Sequence, residues 1–144
     1  MSLNPLNEIR YRHGLAMDHL KRAEISFSAG DWVGTVSASQ LAIENFAKAV
    51  IATMEVPTWG HDPSNQLRNL AGRLPGILQG EIRELSSLAQ EMAPEHGRSA
   101  YGEPTSGLLP GDIYKEHHAS TALMKAKDAR LKAEHVLSML GVKL

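Results

Sequence analysis

No cysteine occurs among the 144 residues. Disulfides, thiolate nucleophiles and cysteine-based zinc sites are thereby excluded, and a reducing, cytoplasmic setting is expected. Long apolar runs are missing as well. Nothing in the sequence is long and apolar enough to cross a bilayer, and the opening MSLNPLNEIRYRHG lacks the continuous apolar stretch of a leader. No membrane partner is expected. An excess of one charge is also absent: 15 Lys and Arg stand against 16 Asp and Glu, a formal net charge of −1. No global basic field pulls the chain onto nucleic acid, so any such contact must be a local patch. GxSxG, GxxxxGK[ST], GxGxxG and HExxH do not occur, which removes the common nucleophile, phosphate-loop and zinc-protease settings.

Strand signals are lacking too, and what remains is helix after helix. Leu6, Ile9, His13, Ala16, Leu20, Ala23 and Phe27 recur at steps of three and four, predicting a helix over about residues 5–28. Gly30 can end it, and Asp31 can cap a second helix reaching about Glu55, before Val56-Pro57 and Trp59-Gly60. Asp62 followed by Pro63 reads as an N-cap with proline at the first helical position, opening a short helix to about residue 73. Leu78, Ile82, Leu85, Ala89 and Met92 mark a fourth helix, closed by Pro94. The proline- and glycine-rich segment 94–111 is expected to be a long loop. A last helix from about Asp112 to Leu140 turns Ala119, Ala122, Ala126, Ala129, Ala133 and Val136 inward. The expectation is one all-α domain over residues 1–144, an up-and-down antiparallel helical bundle of about five helices.

Within SASQLAIENFAKAVIA, Gln40, Glu44 and Lys48 step through an otherwise apolar helix. A helical wheel puts Gln40 inside the apolar arc, so its amide needs a partner, and turns Glu44 and then Lys48 progressively toward a rim. The seven histidines offer no ready metal set. His117 and His118 point about 100° apart on a helix, and the one combination with any prospect is His61, Asp62 and a loop histidine. Neither a metal nor a cofactor is expected, and His13 reads as a packed, hydrogen-bonded histidine at the core's edge. Arg130 and His135 could in principle stabilise a phosphate and move a proton without a metal. Five steps along a helix set them about 140° apart, so one undistorted chain does not bring them together.

The order of segments resembles the HEPN domains of prokaryotes, especially the short free-standing ones. It is carried by AGDW at the end of the first helix, SASQLAIENFAKAVIATMEVPTWGHDPSNQL, the RSAYG segment and DIYKEHHASTALMKAKDARLKAEHVLSML, most of the chain. Gln40, Glu44, Lys48, His61, Asp62, Arg98, Tyr101 and Tyr114 stand where the family has its polar second-helix row, the His-Asp start of the third helix, its Arg-Tyr loop and the tyrosine opening the last helix. The resemblance implies a helical bundle, commonly a homodimer, that binds a nucleotide or RNA and is often encoded with a minimal nucleotidyltransferase. It implies a noncatalytic ligand- or partner-binding module built on Gln40, Glu44, Lys48, His61, Arg98, Tyr101 and Tyr114. The alternative is a toxin-like, metal-independent endoribonuclease, because some members use an arginine and a nearby histidine in or near the last helix. Arg130 and His135 match that spacing but lie deep in the helix, without the polar Asn-type residue that often follows the arginine.

Overall fold

A computed structural model describes residues 4–144. In chain order its helices are α1 (Pro5–Ser28), α2 (Trp32–Ile51), α3 (Ser64–Ala71), α4 (Gln79–Met92), α5 (Glu95–Tyr101), α6 (Pro110–Ile113) and α7 (Glu116–Met139), with 3-10 turns at Gly76–Leu78 and Pro104–Ser106. Among the described residues the only β feature is a single antiparallel bridge between Glu103 and Leu108. The expected all-α antiparallel bundle is what forms.

Local chemistry sets the long hairpin. Asn4 caps α1 by accepting from the Leu6 amide at 3.0 Å, and Pro5 occupies the first turn, where its missing N–H costs nothing. Gly30, at φ 74°, reverses the chain, and Asp31 then accepts from the Gly34 amide at 2.9 Å to start α2. α2 is the central pillar, packed by α1, α3, α4, α5 and α7. Its alanines, with Ala119, Ala122, Ala126, Ala129 and Ala133 of α7, keep the neighbouring backbones close, while Ile43, Phe46, Val50 and Ile51 fill the remaining volume. Charge joins α4 to α7, where Lys125 meets Glu91 and Lys132 meets Glu84.

Three expectations need correction. Segment 94–111 is not a long loop: it contains α5, a 3-10 turn and the start of α6. Its prolines and glycines punctuate element ends. Pro94 precedes α5, Gly102 at φ 69° closes it, and Gly107 at φ 70° follows the 3-10 turn. Secondly, the last helix is interrupted, because Tyr114 is extended between α6 and α7. Thirdly, α3 begins at Ser64 and not Pro63. Asp62 still serves the turn, accepting from the Ser64 amide at 3.0 Å.

Candidate functional site

The polar row on α2 is buried throughout: Gln40 is 1% exposed, Glu44 5% and Lys48 3%. The expected climb toward a rim does not occur. A wheel describes one helix, whereas α3 and α5 here cover the flank that a free helix would show to water. Each member of the row is satisfied internally. Lys48 Nζ donates to Glu44 Oε2 at 3.1 Å, and Gln40 Nε2 donates to Glu44 Oε1, also at 3.1 Å.

From this buried row two imidazoles lead outward. His61, in the α2–α3 connection, places Nδ1 3.0 Å from Glu44 Oε1, and its side chain is half exposed. His96, in the first turn of α5, places Nδ1 3.1 Å from Gln40 Oε1. The two rings stack with centroids 3.6 Å apart and planes 19° from parallel. Gln40, Glu44, Lys48 and His61, named together from the sequence, thus form one group, and the structure adds His96 to them. Of the expected combination of His61, Asp62 and a loop histidine, His61 and His96 do meet, with Glu44 in the place of Asp62: the donor atoms of Glu44, His61 and His96 all lie within 4.8 Å. Asp62 is occupied at the start of α3.

A second cluster lies on α5. Arg98 donates through Nε and Nη2 to Glu103 at 3.1 and 2.7 Å and through Nη1 to Glu95 at 2.9 Å. The hydrogen bond to Glu103 and the charge of Glu95 hold its guanidinium firmly protonated, outweighing partial burial. Three of its five N–H groups are used, which leaves two for another acceptor. The Tyr114 hydroxyl donates to Glu95, and the guanidinium lies 5.9 Å from the Tyr114 ring. Burial first, and that hydrogen bond second, raise the Tyr114 hydroxyl well above its ordinary range. Tyr114 is thus a buried strut, while Tyr101, 77% exposed, presents its ring to solvent one turn beyond Arg98. A cavity of about 180 Å³ borders Glu95 and Tyr114, with His117, His118 and Lys125 at its edge.

Arg130 and His135 do not converge within the chain. Arg130 donates to Glu134 at 3.0 Å, and Glu134 also meets His13 at 2.8 Å, on the α1 side of α7. His135 pairs instead with Glu81 of α4. Burial pushes the Glu134 carboxyl up, but the hydrogen bonds and charges of His13 and Arg130 win and hold it below the ordinary carboxylate range. His13 has the core-edge role expected of it, edge-on to Phe46 at 5.9 Å.

Trp59 carried no signal in the sequence beyond its part in a helix break. It is 94% exposed and stands two residues before His61. It borders a cleft of about 520 Å³ that is also lined by Tyr11, Arg12, Met54 and Val56. That volume lies within the roughly 300–1,000 Å³ of small-molecule sites.

This helical bundle with a buried polar row matches the model of the HEPN domain over residues 11–141. The chain belongs to the HEPN family, which places it among nucleotide- or RNA-related modules. Among solved structures it is similar to TT1696 from Thermus thermophilus, at 22% identity and a TM-score of 0.65, over 91% of this chain and 99% of that one. That likeness speaks to the fold. No curated protein matches the sequence.

Proposed function

We propose that the protein is a noncatalytic HEPN module that binds a nucleotide or an RNA segment around His61 and His96, with Arg98 and Tyr101 of the same short helix as His96 as further contacts. The observation that carries this reading is the buried Glu44–Lys48 pair wired to surface imidazoles. A buried ion pair is weak evidence for stability, since its desolvation cost rivals its Coulombic gain. An apolar pair would serve the core as well. Polar groups that break the local packing rule mark functional positions, and here the row fixes two imidazoles where solvent reaches them.

The rim offers chemistry suited to a nucleotide. The spare guanidinium donors can meet phosphate oxygens, the imidazole Nε2 atoms, left as acceptors by the Nδ1–H bonds, can accept from base amino groups, and the exposed rings of Tyr101 and Trp59 can stack on bases. Gln40, Glu44, Lys48 and Tyr114 support from behind without touching the ligand. The module further acts as a homodimer beside a minimal nucleotidyltransferase. Supporting a dimer, Met124, Leu131 and Met139 lie exposed along one flank of α7. The test is calorimetric titration with ATP, GTP and a short single-stranded RNA. Saturable binding that weakens in Arg98→Ala and Tyr101→Ala supports the reading, and no heat with any of them overturns it.

A further inference from the structure

Beyond that reading, we propose that Glu44, His61 and His96 form a binding site for a nitrogen-preferring divalent ion of the zinc, cobalt or nickel type. The three donors come from α2, the α2–α3 connection and α5, so the fold and not local sequence assembles them. Ligands 2.0–2.2 Å from a tetrahedral ion are separated by roughly 3.3–3.5 Å. Glu44 Oε1 and His61 Nδ1 are already 3.0 Å apart. Gln40 Oε1, 3.1 Å from His96 Nδ1, is a buried carbonyl oxygen beside the same donors, and a water or it can complete the set. Lys48 binds the other carboxylate oxygen, Oε2, and so orients Oε1 toward the imidazoles, as outer partners of metal ligands do.

Lys48 also sets the ion's identity. It neutralises Glu44, so the site has no net negative charge with which to hold a hard cation. Magnesium and calcium depend on several anionic or carbonyl oxygens. Affinity here must come from two imidazoles, which suits zinc, cobalt and nickel. As folded, His61 Nδ1 faces Glu44 Oε1 and His96 Nδ1 faces Gln40 Oε1, both acceptors, so each Nδ1 carries its ring proton. Loading therefore moves each ring proton from Nδ1 to Nε2 and turns the two rings toward one ion, which the positions allow: His61 is in a half-exposed connection, and His96 opens a short helix.

The experiment uses the full chain without an affinity tag, stripped with a chelator, in the absence of nucleotide, so its outcome is independent of nucleotide binding. Cobalt is titrated while its visible d–d absorption is followed, and zinc, magnesium and calcium are titrated calorimetrically. The expected result is one cobalt or zinc per chain and no binding of magnesium or calcium. His61→Ala and His96→Ala should each weaken cobalt binding about tenfold or more with unchanged helical circular dichroism. A His117→Ala/His118→Ala variant should bind as the parent does. No d–d band in the parent, or binding that survives in His61→Ala and His96→Ala, overturns the assignment.

Discussion

Glu44 shares its two carboxylate oxygens among three partners: Oε2 receives Lys48 Nζ at 3.1 Å, and Oε1 takes both the buried Gln40 Nε2 at 3.1 Å and the half-exposed His61 Nδ1 at 3.0 Å. Removing the ammonium alone strands a carboxylate that is 5% exposed. Lys48→Met should therefore cost about 3–5 kcal/mol, the range for breaking one side of a buried pair. Glu44→Gln/Lys48→Met keeps an acceptor for the Gln40 amide and removes both charges, so it should recover most of that loss. Urea unfolding of both variants checks it. Equal destabilisation of the single and double variants would mean that the row holds the core together by charge.

Tyr114 ties the break between α6 and α7 to Glu95 at the start of α5. Tyr114→Phe keeps the ring and removes the hydroxyl that donates to a carboxylate. A loss of about 1.5–3 kcal/mol is expected, read as a lower urea midpoint with an unchanged slope.

Gly102 closes α5 at φ 69°, and a Cβ there would run into the Leu108 carbonyl oxygen. Backbone strain of this kind costs about 1–3 kcal/mol before any clash. Gly102→Ala should disturb the turn between Glu103 and Leu108, and with it the acceptor of Arg98. Amide exchange in residues 101–109 should accelerate, while α1 and α2 stay protected.

Stability should fall in two steps on acidification, one starting near pH 6.5 and one near pH 4.5. Burial, and then Arg22, hold the His19 imidazolium below its ordinary pKa of 6.5 against the opposing pull of Asp18 and Glu44. The unfolded chain therefore takes up this proton first. Stability is undiminished above pH 6.5 and declines as pH drops from there through the lower folded value. Glu134, also depressed when folded, adds a second decline beginning near its ordinary 4.5. His19→Gln should flatten the first step and Glu134→Gln the second, in thermal melts across pH.

The long hairpin was legible because its signals are local: apolar steps of three and four, Gly30 and Asp31. The need for a Gln40 partner was also legible, since an amide inside an apolar arc cannot stay unpaired. That partner was not, because His96 lies 56 residues away in a segment whose prolines and glycines imitate a loop. The burial of Lys48 escaped a one-helix wheel, which cannot count the neighbours α2 acquires. Tyr101 and Arg98 were placed in a loop yet share α5.

If the buried row serves the rim and not the core, nucleotide and RNA binding should depend on its charges. The most direct test compares RNA and nucleotide affinity of the parent and of Glu44→Gln/Lys48→Met by calorimetry. A folded double variant whose affinity drops about tenfold or more, some 1.4 kcal/mol, is expected. A parent that binds neither nucleotide nor RNA, or a double variant that binds as tightly as the parent, would contradict that expectation.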